Sequence, residues 1–135
     1  MNFVVDTSVL YTASEGKHEA INFLRNVYLK CHRVYVDSNG KILTEYRSVH
    51  GVFISQWLKL VSTRRIQKVK IKKRCENILC CKRDIVFVYV CLNCRWVKII
   101  VSEDHHFTKN SGKLLRRGIR LFCLNDALEA SKQQN

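Results

Sequence analysis

Proline is absent from this 135-residue chain altogether, without a physical reason that we can name. The other scarcities exclude something. No apolar run approaches the roughly 18 residues a membrane-spanning helix needs, so a helical span and a membrane partner are set aside. Neither GxGxxG after a strand nor GxxxxGK[ST] occurs. The glycine-rich loops that cradle phosphates are therefore missing, and a nucleotide-binding reading has no support. Asp6 interrupts the apolar start, so no signal peptide is expected and the cytoplasm is the expected compartment. Acids are few: 11 Asp and Glu stand against 24 Lys and Arg, for a net charge of +13. So large an imbalance in so small a chain favours a polyanion partner, nucleic acid foremost, over an anionic membrane surface or an acidic protein.

What is present is a globular composition, with 47% hydrophobic residues. The length fits one domain over 1–135 and suffices to bury a core without staples. Seven cysteines, an odd count, argue against a closed disulfide framework. Cys91 and Cys94 have CxxC spacing, but a structural zinc site needs a second tight pair of ligands. Cys80 and Cys81 are adjacent and cannot easily chelate one ion together. Buried free thiols are the leading reading. Disulfides between the 75–81 segment and Cys91 or Cys94 remain open, as in intracellular proteins of hyperthermophiles.

Phe3, Val4 and Val5 read as a short buried strand that ends in Asp6. A helix follows over roughly Ser8 to Ala13, and a second carries Ala20, Ile21, Leu24, Val27 and Tyr28 near the 3.6 period. Arg33 to Val36 is a strand, closed by the turn and cap residues Asp37-Ser38-Asn39-Gly40. One long helical pattern then runs from Ile42 to Val61, with Glu45 among apolar neighbours. From Arg64 to Arg74, seven of eleven residues are basic. This stretch reads as an extended segment or loop with one basic face. Asp84 opens an apolar segment to Cys94 that is read as helix on its length. Val97 to Val101 is the clearest strand, a short helix near Lys109 to Arg117 follows, and Ile119 to Leu124 is the last strand. Asn125 is expected to cap a final helix. Strands alternating with helices imply an α/β fold with a mostly parallel sheet covered on both faces.

Four of the scarce acids stand at notable places. Asp6 and Asp104 each follow a strand and would share the carboxyl edge of a parallel sheet, where ligands collect. Glu45 lies in an apolar helix, and Asp84 begins one. Each has a plain structural alternative: Asp6 and Asp104 as helix caps, Asp84 as a carboxylate favoured by a helix dipole, Glu45 as a surface residue. Converging, they are costly unless a cation joins them, and Mg²⁺ or Mn²⁺ is the natural partner of clustered carboxylates.

Val4-Val5-Asp6-Thr7-Ser8-Val9-Leu10, Ile42-Leu43-Thr44-Glu45-Tyr46-Arg47, Asp84 with its apolar helix, and Ile100-Val101-Ser102-Glu103-Asp104-His105-His106-Phe107 occur in that order. In this the chain resembles PIN-domain ribonucleases, including VapC-type toxins, over nearly its whole length. The resemblance implies a three-layer α/β/α fold with a parallel sheet of about five strands. It implies a Mg²⁺- or Mn²⁺-dependent endoribonuclease in which water attacks the RNA phosphodiester. Matched motif by motif, Asp6, Glu45, Asp84 and Asp104 are the catalytic residues, with Asp6, Asp84 and Asp104 binding metal and Thr7 and Ser102 as polar support. Some relatives carry a further acid where this chain has His106; Glu103 is a secondary candidate in its place. The basic stretch is a second departure.

Arg64, Arg65, Lys68, Lys70, Lys72, Lys73 and Arg74 are expected to grip the RNA backbone without reading sequence. Arg47 is a candidate to hold the scissile phosphate, or else a surface ion pair. His105 and His106 are expected beside the site or on the surface rather than as ligands. A small antitoxin partner and a homodimer are further expectations, and a non-catalytic RNA-binding or assembly module on the same fold is the alternative function.

Overall fold

In the computed structural model, which describes residues 1–75 and 84–134, the apolar opening run is strand β1 (Asn2–Val5). Phe3, Val4 and Val5 are fully buried, the pattern of a strand covered on both faces. The chain continues as α1 (Thr7–Ser14), α2 (His18–Leu29), β2 (Arg33–Asp37), α3 (Lys41–Arg47), α4 (Val52–Arg64), β3 (Ile66–Val69), α5 (Ile85–Leu92), β4 (Ile99–Val101), α6 (His105–Lys109), α7 (Ser111–Arg116), β5 (Arg120–Phe122) and α8 (Leu124–Ser131). The five strands form one all-parallel sheet in the order β3-β2-β1-β4-β5. The expected three-layer α/β fold is what the chain adopts.

Parallel crossovers are right-handed, which puts α1 to α4 on one face and α5 to α7 on the other. The packing agrees. On the first face α2 packs against α1, α4 and α8, and the Trp57 indole N–H of α4 donates to the Leu24 carbonyl of α2 at 2.8 Å. On the second, Phe87 of α5 meets Phe107 of α6 edge to face, with ring centroids 6.3 Å apart. No described helix is long and apolar enough to cross a membrane.

The structure departs from the sequence pattern in several places. The long helix over 42–61 is two helices. Ser48 Oγ bonds back to the Glu45 carbonyl, and Gly51 has φ +136°, a backbone that side-chain-bearing residues rarely adopt. The basic stretch, expected as an extended segment or loop, contains β3: Ile66 to Val69 pair with Val34 to Asp37 as the sheet edge. Its continuation is pinned to the end of α5. Asn93 Oδ1 accepts from the Lys72 and Lys73 amides at 2.8 and 2.7 Å, and its Nδ2 donates to the Lys73 and Tyr89 carbonyls. The helix near 109–117 is α7, and a further short helix that the pattern did not show, α6, precedes it. Cys123, not Asn125, is the N-cap of α8. The helical reading of 84–94 matches α5. Within it Cys91 is a buried thiol, pushed up to about 12 by burial, and Cys94 is half-buried; both are free. Cys80 and Cys81 lie outside the described residues.

The chain builds outward from β1 to β2 and β3, then returns to place β4 on the other side of β1. The order therefore reverses between β1 and β4. At such a switch point the loops leave the sheet in opposite directions and open a crevice beyond the carboxyl ends of the strands. Asp6 and Ser102 are the residues that follow those two strands.

Candidate functional site

Asp6 extends the pairing of β1, its amide donating to the Val101 carbonyl at 2.9 Å. It is the N-cap residue of α1, yet its side chain caps nothing. Asp6 Oδ2 instead accepts from Ser8 Oγ and Ser102 Oγ, both at 2.7 Å. Each serine oxygen in turn accepts a backbone amide from the segment after β4: Glu103 N on Ser8 at 3.1 Å and Asp104 N on Ser102 at 2.9 Å. Two hydroxyls thus tie the strand ends together and aim one carboxylate. Thr7 and Ser8 do not cap α1 through their side chains, since Thr7 Oγ1 donates to Glu45 Oε2 at 3.1 Å.

A cavity of about 380 Å³ opens over this edge. The four expected carboxylates Asp6, Glu45, Asp84 and Asp104 all line it, as does Thr7. They reach it from four elements: the end of β1, helix α3, the start of α5, and the loop after β4. Asp6 is only 2% exposed, and its carboxyl is pushed up to about 6. Burial is the main cause; the charges of Asp84 and Asp104 add to it, while the two serine hydroxyls oppose it. Behind Asp6, the fully buried Tyr46 hydroxyl donates to the Val5 carbonyl and is held well above its ordinary pKa by burial and then by Asp6, Glu45 and Asp37. Asp104 does cap α6, accepting from the His106 amide at 2.9 Å. It performs that role and faces the cavity as well.

Ser8, Tyr11, Ser48 and His106 complete the lining, and the sequence had placed none of the first three there. Tyr11 follows Thr7 by four residues on α1, one helical turn, which is the signal that could have found it. His106 was set beside the site; ligand atoms of Asp104, His105 and His106 in fact all lie within 4.8 Å of one another, a group that could hold a metal ion. His105 Nδ1 is 3.6 Å from Asp104 Oδ1, and the two imidazole rings are 4.2 Å apart. That group is a fit for a cation. The charges of Asp84 and Asp104 act on the buried Asp6 carboxyl, and a cation bound nearby would relieve both that repulsion and the desolvation of Asp6.

Three expected residues are elsewhere. Glu103 is exposed, and its Oε1 accepts from the Leu124 amide at the start of α8, because it neighbours the buried Ser102 and points the other way. Arg47 is exposed and does not line the cavity; two residues on from Glu45, it leaves α3 on another face. Arg65 is bound within the fold, its Nε donating to the Tyr28 carbonyl at 3.2 Å and its guanidinium lying over the Tyr28 ring. Arg64, Lys68, Lys70, Lys72, Lys73 and Arg74 are exposed. Arg74 and Lys41 border a second cavity of about 480 Å³, walled by Ile71, Ile85, Val86 and Tyr89, and Glu45 lines both cavities.

No family model, curated protein or solved structure matches the chain.

Proposed function

We propose that this chain is a metal-dependent endoribonuclease of the PIN type, using Mg²⁺ or Mn²⁺. The observation that carries the reading is the meeting of Asp6, Glu45, Asp84 and Asp104 in one cavity at the sheet's switch point, in a chain with a net charge of +13. Acids gathered at one point of a protein otherwise so basic fit a polyanionic substrate whose cleavage needs a cation. Asp6, Asp84 and Asp104 would hold the ion. When bound, it lowers the pKa of a coordinated water and neutralises charge on the scissile phosphate.

The chain's own residues supply the rest. Ser8 and Ser102 fix the orientation of the Asp6 carboxylate, so its lone pairs are set before any ligand arrives. Glu45, steadied by Thr7, faces the same space and can accept the proton of an attacking water. Lys41 and Arg74, along the adjoining cavity, give the RNA strand a cationic path past Glu45.

Asp6→Asn and Asp104→Asn are each expected to abolish Mn²⁺-dependent cleavage of an RNA oligonucleotide while leaving its binding in EDTA unchanged. Undiminished cleavage by either purified variant would sink the assignment. Binding without cleavage by the parent protein, with any divalent ion, would favour a non-catalytic RNA-binding module.

A further inference from the structure

Between α5 and β4 the chain exposes Trp96, with 64% of its surface in water. Its backbone is anchored to β1 and its ring is paired with a cation. Asn2 Nδ2 donates to the Trp96 carbonyl at 2.8 Å, and the Arg95 guanidinium lies over the indole, 4.5 Å from its centroid. Two hollows meet at this ring. One, about 440 Å³, extends to Lys68 on β3; the other, about 350 Å³, lies against Asn2. Arg33 and Tyr35 line both. Asn2 and Arg33 begin β1 and β2, so the ring lies toward the amino ends of the strands, opposite the carboxylates. Arg33, Lys68 and Arg95 are all exposed, and no carboxylate among the described residues forms an ion pair with any of them.

We infer that this surface binds single-stranded nucleic acid, with Trp96 as the platform on which an unpaired base stacks and Arg33, Lys68 and Arg95 as contacts to the flanking phosphates. Positive charge alone would draw any polyanion. A flat aromatic ring on an anchored backbone carbonyl, bordered by open hollows, adds a preference for a ligand that offers flat faces at the spacing of its phosphates. A duplex keeps its bases stacked on one another and cannot offer them. The site is remote from the carboxylate cavity and stands whether or not that cavity cuts RNA.

The test is run in EDTA, so that cleavage plays no part. Trp57 is buried with its N–H on a carbonyl, which leaves Trp96 as the solvent-facing fluorophore. A decauridylate is expected to quench its emission saturably, and inorganic polyphosphate is expected to bind without quenching. By anisotropy of a labelled decauridylate, Trp96→Ala should bind on the order of tenfold more weakly, Trp96→Phe should retain most of the affinity, and Arg33→Ala should weaken binding in a salt-dependent way. Unchanged affinity in Trp96→Ala, or quenching by polyphosphate equal to that by decauridylate, would overturn the inference. The first would leave Trp96 idle; the second would reduce the surface to charge alone.

Discussion

Asp6 is where sequence, burial and chemistry meet in one side chain. Its carboxyl is pushed up to about 6, whereas an aspartate in an unfolded chain titrates near 4. The folded protein therefore holds this proton more tightly than the unfolded chain does. Stability from this group is greatest below about pH 4 and is lost as the pH rises through about 6, where the buried charge must be carried. Asp6→Asn keeps an acceptor for Ser8 and Ser102 and removes the charge. In EDTA the variant is expected to be more stable than the parent by ~1–3 kcal/mol near pH 8, and by little near pH 4. Urea midpoints of both proteins at the two pH values measure this; a difference that does not change with pH would show that the Asp6 charge is not its cause. The residue was legible because an acid at the end of an apolar strand has few inexpensive uses. Glu45 was legible for a related reason, as a carboxylate within an apolar helical run. Arg47 and Glu103 were misplaced because neighbours one or two positions apart leave a chain in different directions. Ser48 and His106 reach the cavity only through tertiary placement, which no local pattern records.

At the scale of elements, the orientation of α3 decides whether Glu45 reaches the cavity, and the break after α3 is built on Gly51. Its φ of +136° and ψ of +146° lie in a region that is essentially glycine's alone. The space around it is not tight, since an added Cβ would come no closer than 3.7 Å to Ser14 Cβ. The cost of a side chain there is thus backbone strain rather than collision. Gly51→Ala is expected to destabilise the protein by ~1–3 kcal/mol. Gly112→Ala, within α7 and with nothing within 4 Å, is expected to be neutral or to stabilise by up to ~1 kcal/mol. Chemical denaturation of the two variants side by side checks the pair, and equal effects would remove strain as the explanation. Hydrophobic periodicity alone ran through this break, because Ile42 to Val61 keeps its apolar spacing on both sides of it. Strand β3 was legible only as an extended segment or loop, for a different reason. An edge strand presents Gln67 and Lys68 to solvent, and a row of lysines blunts such an edge against pairing with other chains, so it reads as a charge run. The strands around β1 were legible since burial on both faces makes them uniformly apolar.

For the whole molecule the governing quantity is the charge of +13 and where it is fixed. A basic run is ordinarily a solvated face whose cations sample many positions. Here Asn93 holds the Lys72 and Lys73 backbone with three hydrogen bonds, so the cations from Lys70 to Arg74 start from a defined line, and Arg74 at its end borders the cavity next to Glu45. Cations held in this way release counterions when they meet phosphates. The binding constant for single-stranded RNA should then fall linearly on a log–log plot against salt, with each lost phosphate contact reducing the slope by about 0.7. Replacing Lys70, Lys72, Lys73 and Arg74 together by Ala is expected to lower the slope by up to about 3, as read from anisotropy of a labelled oligoribonucleotide in EDTA across a salt series. Arg65→Ala should leave the slope unchanged, because that guanidinium is already committed to Tyr28. An unaltered slope in the fourfold variant would return the run to a solvated face. The cationic path to the carboxylates would then have to start from Lys41 on α3 instead.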